Sequence, residues 1–449
     1  MLPAEFTSRM KNLLGDDYDK FIASFDESPV RSFRVNTKKI SEKDFITINP
    51  FGGEKISYAE GAYYFDYDGI GNHPYHHAGM IYIQDPAAMS AVASVDIEPD
   101  WKILDLCAAP GGKSTQAASK LENGLLVSNE IIPSRCKILT GNIERMGIRN
   151  AITTCSDVKR LSNLFGEEFD LVIVDAPCSG EGMFRKDETA INEWSTANVN
   201  LCADRQDEIL SYAKDFVCEG GYLLYSTCTY SPEENEMCID RFLAENKNFE
   251  LVEVNENVKK ATADGVFFDG CKTENISFCR RFYPHVSKGE GQFVALLKKT
   301  NANYINIKRE NALEKLSKAE EKIVFDFLDS TLVSYDKKCV RKYKDSIVYF
   351  ESDFVVPKGI AFSCGVTIGT VQKNYILPHH QFFMAMGKEF RRQIELTHDE
   401  AESYLKGNTI PCQCENGWAS VLINGCTLGG VKVVNGTAKN HYPKGLRKN

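Results

Sequence analysis

Cys178 and Cys228 are the residues of this chain whose types and positions point most directly to chemistry. The first lies in FDLVIVDAPCSG and the second in GGYLLYSTCTYSP. Each follows an apolar, β-branched run that predicts a buried strand, and turn residues follow each at once. Each thiol is therefore expected at the carboxyl end of a strand, the edge at which open parallel α/β sheets bind ligands. A single buried cysteine is ordinarily a small hydrophobe. Two at one sheet edge, one of them in an Asp-Ala-Pro-Cys turn, indicate thiol chemistry.

A second group surrounds the run Cys107, Ala108, Ala109, Pro110, Gly111, Gly112 and Lys113. The segment AAPGGKST has the look of a phosphate-binding loop, but Cys107 stands where that motif requires its first glycine, so the phosphate cradle is incomplete. The turn still follows the first strand and opens the first helix of the series, and its glycines let the backbone come close to a ligand. Three acids then close successive strands: Glu130, Asp157 and Asp175. A carboxylate at Glu130 can accept both hydroxyls of a ribose, and one at Asp157 can accept from an adenine amino group. Singly, such acids are usually caps or turn residues. Together they fit an adenosine cofactor with no phosphates to cradle, S-adenosylmethionine.

The elements that must position these residues follow from the pattern. Short helices and the segment SFRVNTKK occupy the first forty residues. From Trp101, strands alternate with helices (WKILDL, GLLVSNE, AITTCSD, FDLVIVD, GYLLYSTCTY), which predicts a mostly parallel, doubly wound α/β sheet. Gly220-Gly221 is expected to stop a helix, and Pro232-Glu233-Glu234 to start another. After about Thr300 come the linker-like NANYINIKRE, an amphipathic helix over LEKLSKAEEKIVFDFLDS, and short punctuated strands that predict a separate small unit.

At 449 residues with 43% hydrophobic content, the chain is long enough for several cores. The expected division is 1–95, 96–300, 301–375 and 376–449. No stretch approaches a membrane span and no leader peptide is read at the start. The fifteen cysteines include no C-x-x-C and fit a reducing cytosol, so a cytoplasmic chain without a disulfide framework is expected. Cys412, Cys414 and Cys426 lack the partners a zinc site needs, so no metal is expected. The net charge of −9 does not mark a nucleic-acid binder as a whole. Local cations do occur: Arg31, Arg34, Lys38 and Lys39; Lys337, Lys338, Arg341, Lys342 and Lys344; and Lys432, Lys439, Lys444, Arg447 and Lys448. Each cluster could track a phosphate backbone or be a solvated face.

CAAPGGK, NE (Asn129–Glu130), SD (Ser156–Asp157), DAPCSG and STCTYSPEENE together resemble the NOL1/NOP2/Sun family of RNA cytosine-C5 methyltransferases. RVNT (Arg34–Thr37), QDPAAM (Gln84–Met89), and RFYPH with GEGQFVALL (Arg281–Leu297) are similar to its flanking segments. The terminal NHYPKGLR (Asn440–Arg447) resembles the bacterial RsmF-type branch that acts on 16S rRNA. The resemblance implies a class I S-adenosylmethionine-dependent methyltransferase fold with an N-terminal α+β RNA-binding extension. It also implies a PUA-like C-terminal domain around Thr397–Arg447, a monomeric protein, and 16S rRNA or the small ribosomal subunit as partner. It implies Cys228 as nucleophile at cytosine C6, Cys178 as the group assisting release, and Asp175 as hydrogen-bond partner of the cytosine edge. Lys113 is expected to lower a thiol pKa or orient the base. The loop Cys107–Lys113, Glu130, Asp157 and Asp175 would hold the cofactor. DNA cytosine methylation would put the nucleophile at the Pro-Cys position, and amino-group methylation wants a Pro-Pro-aromatic turn that is absent. A tRNA substrate and a non-catalytic ribosome-assembly role remain as alternatives.

Overall fold

The computed structural model describes residues 2–301 and 307–448. Part of the linker-like stretch, 302–306, therefore lies outside the described residues. The strands of the central sheet are β1 (Lys102–Asp105), β2 (Leu125–Asn129), β3 (Ala151–Thr154), β4 (Phe169–Asp175), β5 (Val217–Thr227), β6 (Phe249–Val252), β7 (Arg280–Phe282), β8 (Gln292–Lys299) and β9 (Ala361–Cys364). The order across the sheet is β7-β8-β5-β4-β1-β2-β3-β9, with Ala263–Asp264 beyond β7 and β6 on β8. Strands β3-β2-β1-β4-β5 are mutually parallel. They read as near-continuous apolar runs because helices cover both faces. One face is packed by Leu104, Val172, Val174, Leu223, Tyr225 and Phe293, the other by Ile103, Leu171, Ile173, Leu224 and Val294. The expected doubly wound sheet is present. Antiparallel β8 and β9 flank it, and β9 comes from far down the chain to pair with β3.

Two local expectations are corrected. Gly220 and Gly221 do not stop a helix: the helix Thr196–Ala213 ends earlier, and both glycines lie inside β5. Phe169 pairs with Val217 and Leu171 with Tyr222, so residues 218–221 bulge opposite Asp170. The helix expected from Pro232 begins only at Glu236. The intervening side chains of Glu234 and Asn235 are drawn inward to bond the neighbouring turns, and Asn235 takes a non-helical conformation (φ −112°, ψ −104°).

Helices Ala4–Leu14 and Tyr18–Ala23 precede a three-stranded antiparallel sheet in which Arg31–Val35 is central. Farther on, helix Lys318–Thr331, opened by a Ser317–Glu320 capping box, packs on a four-stranded sheet (Val340–Tyr343, Ser346–Tyr349, Val366–Val371, Ile376–Pro378). The last unit is a five-stranded sheet built on the hairpin Gly417–Ile423 and Cys426–Val434, with helix His398–Leu405. Its core is continuous with that of the N-terminal sheet: Phe33, Phe45, Tyr63 and Tyr75 belong to the same cluster as Tyr404, Leu405, Val421 and Leu428. The two ends of the chain therefore close on each other. NHYPKGLR is part of this joint. Tyr442 is buried, its Oη lies 2.9 Å from His77 Nδ1, and the Asn440 side chain donates to the carbonyls of Tyr404 and Asn408.

Half of the N-terminal basic cluster is internal and half, Arg31 and Lys38, is exposed. Arg34 and Lys39 are buried, and Arg31 pairs with Asp66 and Asp68 at 2.9 Å each. Lys39 Nζ donates to the carbonyls of Ala78 (2.7 Å) and Arg145 (3.2 Å), and burial pushes its amine down to about 7. Of the other clusters, Lys342 pairs with Glu320 and Lys448 with Glu402. Among the described residues no helix is long and apolar enough to cross a membrane, and no group of three or more His, Cys, Asp or Glu side chains is placed to hold a metal.

Five histidines gather where the two chain ends meet. The rings of His73 and His398 lie 5.1 Å apart, and those of His380 and Tyr442 5.3 Å apart. Burial pushes His73 and His77 down to about 4, and His76 and His380 to about 3. These values lie below the unfolded histidine value of about 6.5, so the unfolded chain takes up protons first as pH falls. Stability is therefore present in full above about pH 6.5 and is lost progressively down to the folded values of about 4 and 3. The thermal midpoint is expected to fall steeply across this window, and proton uptake should accompany unfolding in calorimetry at two buffer ionisation enthalpies. Tyr404→Ala should cost about 3–5 kcal/mol in urea unfolding, because the fully buried ring joins both ends and its hydroxyl donates to Gly430 O at 2.9 Å.

Candidate functional site

Parallel pairing puts Asp175 opposite Ser226 at the carboxyl ends of β4 and β5. The chain leaves both strands toward the same side. Three residues after Asp175 comes Cys178, and one after Thr227 comes Cys228. The two sulfurs are 3.2 Å apart, both free and both partly exposed. The neighbouring sulfur of Cys228, burial and the charge of Glu234 push the Cys178 thiol up. The approach depends on Gly182: its N–H donates to Cys228 O at 2.8 Å, and a Cβ there would stand 2.7 Å from the Gly291 backbone and 2.9 Å from Cys228 O. No side chain fits that gap.

Asp175 lies beside the thiol-bearing turns. Its Oδ1 accepts from Ser226 Oγ at 2.8 Å, and its Oδ2 pairs with Lys113 Nζ at 2.8 Å. Lys113 thus has a carboxylate partner and ties the end of β4 to the helix Gly112–Ala118.

The turn from Cys107 to Lys113 is clamped from several sides. Ala108 N–H donates to Asn129 O (2.8 Å), Arg135 donates to Ala109 O (2.9 Å), and Asn142 to Pro110 O (2.9 Å). The buried Arg34 donates to Gly112 O and to Thr115 Oγ1, each at 3.0 Å. Gly111 takes φ +112°, the left-handed region that favours glycine, and an added Cβ would press on Leu139 at 3.2 Å. Burial pushes the Cys107 thiol up, with Asp105, Asp175 and Glu130 adding to the effect, so Cys107 is a neutral lining group.

Glu130 is buried just past β2. Its Oε1 accepts from Ile132 N–H at 2.9 Å, and its Oε2 lies 3.4 Å from Arg135 Nη1. Asp157 is exposed and caps the short helix Val158–Ser162 by accepting from Arg160 N–H at 2.8 Å. Among the described residues no hydrogen bond joins it to Glu130 or Asp175. The structure therefore joins Cys178, Cys228, Asp175, Lys113 and the loop, with Glu130 close by, and leaves Asp157 at the rim.

Three buried acids around the site were not singled out from the sequence. Asp105, at the end of β1, is fully buried and pushed up to about 7 by burial; its Oδ2 accepts from Ser114 Oγ at 2.7 Å, and among the described residues its Oδ1 has no hydrogen-bond partner. Glu181 and Glu234 lie beneath the two cysteine turns, also buried. Glu181 in DAPCSGE reads as an ordinary loop acid and Glu234 in SPEENE as a helix-start acid, and only the fold shows that they point inward.

The family described as 16S rRNA methyltransferase RsmB/F matches residues 92–298. The N-terminal domain of 16S rRNA methyltransferase RsmF matches residues 2–86, and the methyltransferase RsmF PUA domain matches 391–448. Proteins called ribosomal RNA small subunit methyltransferase F are similar over almost the whole chain. That of Vibrio campbellii is 32% identical, covering 99% of this chain and 97% of its own, and that of Psychromonas ingrahamii is 30% identical with the same coverage. Among solved structures, a methyltransferase homolog from Pyrococcus horikoshii is 28% identical (TM-score 0.58, 66% of this chain and 94% of that one). NSun6 from the same organism, solved with SFG, shares the fold (21% identity, TM-score 0.56, 67% and 99%). With a central methyltransferase domain, an RsmF-type N-terminal domain and a C-terminal PUA domain each matched, and relatives similar over 99% of its length, this chain belongs to the RsmF family of ribosomal RNA methyltransferases.

Proposed function

We propose that the chain transfers the methyl group of S-adenosylmethionine to C5 of a cytosine in 16S rRNA, through a covalent bond between Cys228 and cytosine C6. The observation that carries this reading is the pair of free thiols 3.2 Å apart with Asp175 held beside them. The family membership supports the substrate class, and the PUA domain supports RNA as partner.

The residues at the loop fit the cofactor. Buried Glu130 offers a carboxylate to a ribose diol. The partnerless Asp105 oxygen beneath the loop is an acceptor suited to an ammonium. Position 107 is cysteine, so no phosphate cradle competes. Cys107–Lys113, Glu130 and Asp175 would hold the molecule, with Asp157 at the adenine end. When bound, the cofactor supplies an electrophilic methyl group.

The remaining steps belong to this chain's residues. Cytosine C5 is a poor nucleophile until a thiolate adds at C6 and leaves an enamine, which makes C5 nucleophilic. Cys228, the first residue beyond β5, supplies that thiolate. Asp175 accepts from the base edge and favours protonation at N3 of the adduct. After methylation the C5 proton must leave before the Cys228–C6 bond can break. Cys178, 3.2 Å from Cys228, is placed to assist that release. A paired target would first be flipped from its stack.

Cys228→Ala should reduce methylation of small-subunit rRNA to background, and Cys178→Ala should accumulate a covalent protein–RNA adduct on denaturing gels. Full activity of Cys228→Ala would reverse the two roles or remove the covalent route. Bisulfite sequencing of the products identifies the modified cytosine, with tRNA as the competing substrate. Asp175→Asn should lower kcat by about 10²–10⁴-fold with a smaller change in KM for RNA.

A further inference from the structure

Beneath the two cysteine turns runs a chain of four oxygens with a carboxyl group at each end. Ser179, which follows Cys178, meets Glu234 Oε1 through its hydroxyl. The same hydroxyl lies 2.8 Å from Thr229 Oγ1, and Thr229 follows Cys228. Thr229 Oγ1 in turn lies 3.0 Å from Glu181 Oε2. Glu181, Ser179, Thr229 and Glu234 are all buried.

The chain has three contacts and each needs one hydrogen. The two hydroxyls supply two. A carboxyl must supply the third. Glu181 is already committed as an acceptor on both oxygens: Oε1 takes Trp194 Nε1–H (2.9 Å) and Ser231 Oγ–H (2.8 Å), and Oε2 takes Tyr230 N–H (2.9 Å). Glu234 Oε2 likewise accepts from Ser179 N–H and Gln206 Nε2, each at 2.9 Å. Among the described residues, Glu234 Oε1 meets only the Ser179 hydroxyl. It is the one place left for the proton.

We propose that Glu234 carries a proton that the hydroxyls of Ser179 and Thr229 link to ionised Glu181, and that Glu234 is thereby the positioning residue for the turn bearing Cys178. In that form Glu234 donates to Ser179, Ser179 to Thr229, and Thr229 to Glu181, so one hydrogen-bond direction locks both cysteine turns together. Loss of the proton breaks the direction of the chain and puts a second buried negative charge beside Cys178. Burial pushes Glu234 up to about 7, which agrees with the count.

The ionisable groups around it come from every neighbouring element. Glu181 lies on the turn after Gly180, Cys178 and Cys228 are above, and Cys202 and Arg205 are on the helix Thr196–Ala213. Tyr225 of β5 donates to Glu234 O at 2.6 Å, and Arg9 faces Glu181 from the first helix. Arg9 is committed to Glu233 at 2.6 Å. The role of Cys178 in releasing the methylated base rests on the methyl-transfer reading. The proton count does not.

The test therefore uses no RNA. In the full-length Cys228→Ser protein, the rate of Cys178 alkylation by iodoacetamide is followed by mass spectrometry from pH 6 to 9, with and without Glu234→Gln. Below the Glu234 transition the two proteins should react alike, because glutamine mimics the protonated acid. Above it, Glu234→Gln should react roughly tenfold faster, as expected for removal of a charge that shifts the thiol by about one pKa unit, and Glu234→Asp should keep the slower rate. Ser179→Ala keeps the charge and should keep a slower limb as well. A rate ratio that stays constant with pH overturns the proposal. So does the reverse order of tolerance in thermal unfolding, since Glu181→Gln should be far more damaging than Glu234→Gln. Methylation assays of Cys228→Ala test the reaction separately, so either result stands without the other.

Discussion

The parallel register of β4 and β5 is the constraint on which the site depends. Parallel neighbours deliver their carboxyl ends to one edge, and adjacent strands stand only about 5 Å apart. With Asp175 opposite Ser226, a short excursion from each strand is enough to bring two sulfurs to 3.2 Å. An antiparallel pairing would send the two turns to opposite edges. A register slip of one residue would turn Asp175 and Ser226 to the other face, away from Lys113. The apolar runs that build these strands therefore place the chemistry as well as the core.

Closeness of two turns is not by itself rigid, and the loops that follow the strands are tied down by buried polar groups. Glu181 accepts four bonds from the segment 194–231, and Glu236 pairs with buried Arg281 next to Tyr230. Such groups are costly to bury and are stable only when nearly every hydrogen-bonding position is filled. Here they are filled largely by side chains of the cysteine turns and their neighbours, with the Tyr230 N–H among them, which removes the turns' freedom. The late start of the helix at Glu236 is the local cost of this arrangement, since Glu234 and Asn235 cannot both serve the turns and sit on a helical surface.

Most of the sheet and both thiols were legible in the sequence because strand burial leaves an apolar signature and glycine-proline turns punctuate it. DAPCSG and STCTYSP announce their turns directly. What was not legible has a common cause: polarity read along the chain does not say which way a side chain faces. Arg34 and Lys39 look like a phosphate-tracking patch, yet they are buried against carbonyls, and Arg34 braces Gly112. Glu234 looks like a helix-start acid and faces inward. Gly220 and Gly221 look like a stop signal and form a bulge. The pairing of β9 with β3 and the shared core of the two chain ends arise between segments more than two hundred residues apart, where no local pattern exists to read.

The internal position of Arg34 links the outer domain to the chemistry. A buried guanidinium is favourable only while its donors are satisfied. The N-terminal strand supplies the cation, Gln84 fills Nε at 2.8 Å, and the carbonyl of Gly112 and the Thr115 hydroxyl fill Nη2. The ring of Tyr82 is flanked by both Arg34 and Arg145, each 5.5 Å from its centroid, and burial pushes both guanidiniums down to about 10. Moving the N-terminal sheet relative to the central one would strand these cations without acceptors. The cofactor loop and the N-terminal sheet must therefore hold position together. Because that sheet also shares its core with the C-terminal domain, both are fixed relative to Cys228 by packing.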